Sequence, residues 1–200
     1  MTISAIVLAA GKSRRFGRDK RLEFIGSQPM LIAVASKLRD LVTDTLVVLG
    51  PEDNLHQALL AQYGIAATRC PAAARGMGHS LGFGVAQRPD SAGWLVMPAD
   101  MPYISSDTIR KVLDAGAEHD LAAPTYEGQR GHPVWFSRSF KAQLCALSGD
   151  EGGRSILGPP IKGGMEDRAP QRSLRGNLWS VPVHDAGCLH DVDTPQDLLP

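Results

Sequence analysis

The sequence lacks the excess of charge and the cysteine pairs that mark several protein classes. Lysine plus arginine and aspartate plus glutamate balance at 21 each in 200 residues. This balance argues against a general nucleic-acid or membrane-surface binder, because such proteins rely on an excess of basic residues. The three cysteines, Cys70, Cys145 and Cys188, form no CxxC pair, so neither a structural zinc site nor a disulfide framework is expected.

Long apolar runs are also missing. The longest are far too short to span a bilayer, and no cationic segment precedes a long apolar core at the N-terminus. We therefore expect a cytoplasmic protein with no membrane and no nucleic-acid partner. The length suits one α/β domain over residues 1–200, in which the segment 158–176, rich in glycine, proline and charge, is expected to be a mobile loop.

The most informative stretch lies near the N-terminus. Residues 5–8 form a short apolar run that is typical of a strand buried on both faces. Ala9, Ala10 and Gly11 follow, with almost no side chain, and they are succeeded by a cluster of cations: Lys12, Arg14, Arg15, Arg18, Lys20 and Arg21. A loop of small residues lets backbone N–H groups approach an anion, which the cations would neutralise. We interpret this loop as a di- or triphosphate site; the alternative is an ordinary strand-loop-helix turn with a solvated basic surface.

Two familiar phosphate motifs do not fit this loop. Gly11-Lys12-Ser13 resembles the end of a Walker A loop, but that motif requires a glycine where Ile6 stands. The dinucleotide fingerprint requires Gly-x-Gly, and Ser13 occupies the second glycine position.

The rest of the chain alternates strand and helix patterns. Apolar runs predict strands at 45–49, 65–68, 94–97, 121–124 and 178–183, and helical spacing predicts helices at 30–41, 52–63, 107–118 and 139–147. Another helix is expected to begin near Ser80. This alternation predicts an α/β fold with a Rossmann-like, open, mostly parallel sheet covered by helices on both faces.

Several residues stand where such a fold binds ligands. Gly76 and Gly78 precede the helix near Ser80, flanked by Arg75 and His79, and predict a second polar-ligand site unless they only permit a tight loop. Asp100 follows a central strand, and because Ser105 or Ser106 can cap the next helix, its carboxylate is spare.

Two further segments leave alternatives open. If residues 189–193 are extended, Asp191 and Asp193 point to one side, and one of them could join Asp100 on a metal; the alternative is that both serve the turn and the helix start. Arg130 and His132 lie in a polar turn and could touch substrate, although His132 could equally be a loop histidine bonded to backbone.

Six motifs in order carry a family resemblance. The pattern LAAGxSxRxGxxK is met by Leu8, Ala9, Ala10, Gly11, Ser13, Arg15, Gly17 and Lys20, and it is followed by RGMGHSL, VMPADMP, RGHPVWF, GDEGGRSIL and DVDTP. From residue 3 to about residue 198, apart from the segment 158–176, the chain resembles the molybdenum cofactor cytidylyltransferase group of the MobA-like nucleotidyltransferases.

This resemblance implies a reaction and a set of site residues. A nucleoside monophosphate would pass from an NTP to a phosphorylated acceptor, with pyrophosphate released. The implied residues would have these roles: Leu8, Ala9, Ala10, Gly11, Ser13, Arg15, Lys20, Gly78, Ser80 and Asp100 in nucleotide binding; Lys20, Arg15 and Asp100 in catalysis; Asp100 and Asp193 on Mg²⁺; and Gly131, His132, Pro133 and Arg154 toward the acceptor.

The Ala9-Ala10-Gly11 form resembles cytidylyl members, which implies CTP and molybdenum-molybdopterin as substrates, with a molybdenum hydroxylase or its maturation factor as a candidate recipient. The chain departs from the family at His79, where relatives commonly carry a small residue, and at Phe16, where methionine is usual. The alternatives are GTP or another phospho-acceptor, a non-catalytic carrier of the cofactor, and a dinucleotide oxidoreductase; the cations and the missing Gly-x-Gly count against the last.

Overall fold

A single sheet forms the centre of the computed structural model, which describes residues 2–13, 15–150, 152–158, 172–173 and 176–199. Its longer strands are β1 (Ile3–Leu8), β2 (Asp44–Leu49), β3 (Ala66–Arg69), β4 (Gly93–Pro98), β5 (Leu121–Tyr126), β6 (Val134–Ser137) and β7 (Gly176–Pro182). The helices are α1 (Met30–Arg39), α2 (Asn54–Gln62), α3 (Met77–Ala86), α4 (Ser106–Glu118), α5 (Lys141–Cys145) and α6 (Arg154–Leu157).

The strands lie in the order β7-β5-β6-β4-β1-β2-β3. All neighbouring pairs among them are parallel except those of β6, which runs antiparallel between β4 and β5. The predicted open, mostly parallel sheet is therefore confirmed. Strand β6 can be antiparallel because a short polar turn, rather than a helix, joins it to β5.

Alternate side chains of β1 enter two different helical layers. Ala5 and Val7 pack with residues of α1 and α4, whereas Ile6 packs with residues of α3 and α5. All three are fully buried. The continuous apolar run of β1 thus reflects burial on both faces, as predicted, and it delivers Ala9 to the edge of the sheet.

The chain after β7 is mostly irregular. A 3₁₀ turn (Ala186–Cys188) is followed by residues 189–193, which form no strand. The Val192 N–H donates to the carbonyl of Asp100, just after β4, at 2.8 Å. The helix start considered after Asp193 is a 3₁₀ turn (Pro195–Asp197) that Thr194 caps.

The predicted mobile loop at 158–176 lies mostly outside the described residues. In the parts of the chain that are described, no helix combines the length and the apolar character that a bilayer crossing requires.

Candidate active site

A pocket of about 310 Å³ opens at the carboxyl ends of β1 and β4, which are neighbours in register with Leu8 beside Pro98. Its lining comprises Leu8, Ala9, Ala10, Gly11, Ser13, Lys20, Arg21, Met30, Ala73, Ala74, Gly76, Met77, Ser80, Pro98, Ala99, Asp100 and Asp150. Ligands of open α/β sheets bind at this edge, because the strand ends there leave a crevice.

The small residues after β1 leave room at the floor of this pocket. A Cβ added to Gly11 would meet no other heavy atom within 4 Å, so the packing of the protein itself does not require glycine there. The space beside its backbone is therefore available to a ligand. The loop is held in place by Ser13, whose Oγ accepts the Lys20 N–H at 3.3 Å, and by Phe16, which packs against Met30 and Val192.

Lys20 is the centre of an ion cluster at one wall of the pocket. Its ammonium donates to Asp100 Oδ2 at 2.8 Å, to Asp193 Oδ1 at 3.0 Å and to the Val192 carbonyl at 2.7 Å. Burial alone would lower the pKa of Lys20, but the bonds to the two carboxylates outweigh it and raise that pKa. Hydrogen bonding from Lys20 likewise lowers the pKa of Asp193. We call Lys20, Asp100 and Asp193 the Lys20 cluster.

Arg15 approaches this cluster from solvent. Its Nη1 donates to Asp193 Oδ2 at 2.7 Å, and 79% of its side chain is exposed. It lies outside the pocket lining, so the guanidinium has freedom to turn toward a bound anion.

Arg21, the next residue after Lys20, points into the protein. Its guanidinium donates to Asp19 Oδ2 at 2.7 Å, to Asp53 Oδ1 at 3.0 Å and to the Ala9 carbonyl at 2.7 Å. The Asp53 carboxylate also accepts the Gly50 N–H at 2.8 Å. This Arg21 cluster (Arg21, Asp19 and Asp53) fixes the start of the basic loop to the β2–α2 turn.

The six cations of the basic loop therefore do not act alike. Arg21 is matched inside the protein, and Arg18 pairs with Glu23. Lys20 and Arg15 lie on the open side of the pocket, and both pair with carboxylates that a ligand can replace. Lys12 is exposed. Arg14 lies outside the described residues.

The opposite wall is the amino end of α3, which begins at Met77, three residues earlier than predicted. Ser80 lines the pocket. Gly78 faces Ser148 and Gly149: its N–H donates to the Gly149 carbonyl at 2.8 Å, and an added Cβ would lie 2.8 Å from the Ser148 carbonyl oxygen.

The four residues expected to face the acceptor lie beyond the pocket lining. Gly131 packs so closely against the Cys188 carbonyl that a Cβ would collide with it, and Pro133 is buried. Burial lowers the pKa of His132 to about 4, with a further lowering from Arg154 and Arg130, so this imidazole is neutral at pH 7. Burial and the nearby charge of Arg154 also lower the pKa of Arg130.

The positive charge of Arg154 thus disfavours the charged form of Arg130. A bound anion would offset this effect. His132 Nδ1 is buried and has no hydrogen-bond partner within the described part of the chain.

Two carboxylates of the Lys20 cluster fit a divalent cation by their chemistry. Asp100 and Asp193 already converge on one cationic group, the Lys20 ammonium. No group of three or more acidic, histidine or cysteine ligands occurs among the residues described. A pair of carboxylates is nevertheless the usual protein share of a Mg²⁺ site, whose other positions are filled by phosphate and water oxygens.

Sequence reasoning missed several residues of the pocket. Local sequence presents Arg21 as one more phosphate-neutralising cation, because its pairing with Asp53 cannot be identified from neighbouring residues. The family resemblance places the GDEGGR stretch with Asp150 toward the acceptor, whereas the structure puts Asp150 in the pocket lining. Met30, Ala73, Ala74 and Met77 gave no chemical signal, because small and apolar side chains line pockets and cores alike.

Comparison with known proteins now identifies the family. Residues 5–167 match the family described as MobA-like NTP transferase domain. The chain belongs to this family, and it is a nucleotidyltransferase. The match covers most of β1, the basic loop, the α3 wall, Asp100 and the acceptor-side turn, whereas Asp193 of the Lys20 cluster lies beyond it.

Curated relatives cover nearly the full length. Purine catabolism protein PucB of Bacillus subtilis is 30% identical, over 96% of this chain and 92% of that protein. A molybdenum cofactor guanylyltransferase of Rhodopseudomonas palustris is 31% identical over 97% and 90%. The molybdenum cofactor cytidylyltransferase of Escherichia coli is 25% identical over 98% and 94%.

Solved structures agree with the fold. The Rv0371c protein of Mycobacterium tuberculosis has a TM-score of 0.79 at 26% identity, covering 98% of this chain and 96% of its own. The same protein has been solved in complex with manganese, with a TM-score of 0.75, 25% identity and the same coverage of both chains. A divalent cation therefore binds this solved relative of the chain.

Proposed function

We propose that this MobA-like nucleotidyltransferase transfers CMP from CTP to the phosphate of molybdenum-molybdopterin and releases pyrophosphate. The observation that carries the proposal is the Lys20 cluster, in which one ammonium and two carboxylates meet beside a floor of glycine and alanine backbone. The floor suits a nucleotide, and the cluster suits its charged phosphates together with a cation.

In the proposed reaction an acceptor phosphate oxygen attacks the α-phosphorus in line. A phosphorus–oxygen bond forms on that side while the bond to the α,β-bridging oxygen breaks, and the electron pair leaves with pyrophosphate. The reaction requires no covalent enzyme intermediate, so catalysis rests on positioning and on neutralising charge.

Lys20 exchanges partners in this scheme. Its ammonium leaves Asp100 and Asp193 for the β- and γ-phosphate oxygens, whose negative charge then replaces that of the two carboxylates that raise its pKa. Arg15 turns from Asp193 to the same leaving group. The two carboxylates freed in this way are the residues that would hold Mg²⁺, which supplies further neutralisation of phosphate charge when it is bound.

The acceptor side is formed by the turn after β5 and the start of α6. Arg130 and Arg154 provide positive charge for a second phosphate, and neutral His132 provides a hydrogen-bonding group beside them. Gly131 packs against the Cys188 carbonyl, which also accepts the His132 N–H at 2.9 Å, and Pro133 is buried next to them in the chain. Gly131 and Pro133 therefore act by positioning His132.

CTP is the proposed nucleotide because Ala9-Ala10-Gly11 resembles the form found in cytidylyl members. GTP is the second candidate, since a guanylyltransferase of similar identity matches nearly the whole chain. Ser80 at the α3 wall and the backbone of residues 9–11 are the groups proposed to border the base.

Pyrophosphate release with Mg²⁺ and the molybdenum cofactor, measured in parallel with CTP, GTP, ATP and UTP, tests the proposal. Release with CTP alone is expected. Release with GTP alone would retain the mechanism and overturn the base assignment. No release with any nucleotide, while nucleotide still binds, would overturn the assignment of molybdenum-molybdopterin as the acceptor.

The role of Asp100 has its own test. Asp100→Ala is expected to abolish turnover while changing nucleotide affinity less, because the loss falls mainly on the reacting geometry. Full activity of this variant would remove Asp100 from the metal and catalytic roles.

A further inference from the structure

Asp150 lines the nucleotide pocket on the side opposite the Lys20 cluster. It directly follows Gly149, and it shares the α3 wall with Gly76, Met77 and Ser80. The family resemblance places the GDEGGR stretch that contains Asp150 toward the acceptor, and the mechanism above gives this carboxylate no role. A carboxylate in a pocket for a polyanion needs an explanation, because the triphosphate offers it only repulsion.

The loop that carries Asp150 is fixed to α3 by backbone and side-chain contacts. Gly78 N–H donates to the Gly149 carbonyl at 2.8 Å, and Gly149 N–H donates in return to His79 Nδ1 at 3.3 Å. His79, one of the two departures from the family pattern, is therefore part of the attachment.

The fit of Asp150 against α3 depends on Gly76. The backbone of Gly76 has φ +121°, and a Cβ there would lie 2.7 Å from Asp150 Oδ1 and would collide with Gly149. The missing side chain thus lets the Asp150 carboxylate lie directly against the residue that precedes α3. Asp150 is exposed, but the hydrogen bonds of the preceding Gly149 fix its backbone beside α3.

The chemistry of the pocket restricts what this carboxylate can meet. Ionised carboxylate oxygens accept hydrogen bonds and donate none. Phosphate oxygens of a bound nucleotide are acceptors as well, so they cannot complement it. Donors occur only in the nucleoside part, as ribose hydroxyl groups and as the exocyclic amino group of the base.

We propose that Asp150 is a specificity-determining residue of the nucleotide site, whose carboxylate accepts a hydrogen bond from the nucleoside part of the bound triphosphate. This inference rests on the proposed function, because it takes the pocket as the nucleotide site. His79 acts as a positioning residue by accepting the Gly149 N–H, and Gly76 leaves the space that the Asp150 carboxylate occupies.

The test measures equilibrium binding of CTP, UTP and 2′,3′-dideoxy-CTP, in Mg²⁺, to the wild type, Asp150→Asn and Asp150→Ala. Asp150→Ala is expected to weaken CTP binding by about 10-fold or more, the usual effect of losing a hydrogen bond to a charged group. If the donor is a ribose hydroxyl, the Asp150 variants will bind 2′,3′-dideoxy-CTP with the same affinity as the wild type. If the donor is the amino group, Asp150→Asn will shift the preference toward UTP, whose O4 accepts from an amide.

Asp114→Asn, an exposed change on α4, is the matched control and should bind all three nucleotides like the wild type. Unchanged nucleotide affinities in both Asp150 variants would overturn the inference. A fall in melting temperature without a change in affinity would likewise overturn it, since the carboxylate would then only stabilise the start of α3.

The wild type separates this inference from the proposed function. If it binds CTP and the Asp150 variants bind CTP equally well, only the inference fails. If the wild type binds GTP in place of CTP, the same comparison is made with GTP and ITP, which differ in the exocyclic amino group. If it binds no nucleotide, both fail together.

Discussion

Lys20 and Arg21 are adjacent in the chain, and each pairs with two aspartates, yet they belong to different parts of the molecule. Lys20 lies at the pocket wall, where Asp193 is 38% exposed and Arg15 reaches the same carboxylate from solvent. Arg21 lies beneath the floor with only 9% of its side chain exposed, and its partners Asp19 and Asp53 come from the loop itself and from the β2–α2 turn.

The difference concerns which partners a ligand can replace. The Lys20 ammonium can pass from two carboxylates to phosphate oxygens without leaving the pocket. The Arg21 guanidinium also holds the Ala9 carbonyl, so displacing it would disrupt the floor on which the ligand rests. The Lys20 cluster can therefore exchange its partners with a ligand, whereas the Arg21 cluster holds the pocket floor in position.

The largest expected effect tests the exchangeable cluster. Lys20→Met should lower kcat/KM for the nucleotide by about 100-fold or more, the usual effect of removing a group that stabilises transition-state charge. Its melting temperature should stay close to that of the wild type. Steady-state kinetics with a thermal melt measures both, and a stable variant with wild-type kcat/KM would contradict the role given to Lys20.

Arg21→Met tests the positional cluster. Removing one partner of a buried ion pair leaves carboxylates without compensation, and the free energy of unfolding should fall by about 3 kcal/mol. Urea unfolding measures this fall. If the free energy of unfolding fell less in Arg21→Met than in Lys20→Met, the Arg21 cluster would not be the one that holds the structure in position.

Arg15→Ala sharpens the comparison within the exchangeable cluster. Because Arg15 is exposed and reaches only Asp193, its removal should lower kcat/KM by about 10-fold, less than the change at Lys20, with little change in stability. Arg39→Ala, which removes an exposed arginine at the C-terminal end of α1, is the control and should leave kcat/KM unchanged.

The smallest expected effect is on the pH dependence of stability in the acid range. Burial would raise the pKa values of Asp19 and Asp53, but hydrogen bonds from Arg21 outweigh it and lower both. The unfolded chain therefore takes up protons first as the pH falls below about 4, and the stability that these carboxylates contribute above that pH is progressively lost.

Arg21→Met should remove part of this dependence. Between pH 6 and the acid range, its free energy of unfolding should fall less than that of the wild type. Parallel acid dependences of the two proteins would show that Arg21 does not set the pKa values of Asp19 and Asp53.

Much of this arrangement follows from local sequence. The apolar run of β1, the alternation of strands and helices, and the spare carboxylate of Asp100 were predicted, and Ser105 indeed caps α4 by accepting the Thr108 N–H at 3.1 Å. Each of these depends on residues close in the chain or on the regular geometry of a parallel sheet.

The remainder depends on contacts between distant segments. Asp193 contacts Lys20 across 173 positions, although residues 189–193 form no strand. Arg21 contacts Asp53, and Gly78 and His79 contact Gly149, through tertiary packing that no local pattern records. The family resemblance selected Lys20 and Arg15 among the six cations, whereas the local pattern alone did not separate them from Arg21.

Calorimetric titration of CTP with Mg²⁺ into the wild type and Lys20→Met tests most directly whether the pocket holds a triphosphate through Lys20. Saturable binding by the wild type, weakened by about 10-fold or more in the variant, is the result expected from the loss of a charged hydrogen bond. Equal affinity of the two proteins, with both correctly folded, would contradict the assignment of the Lys20 cluster to the phosphates.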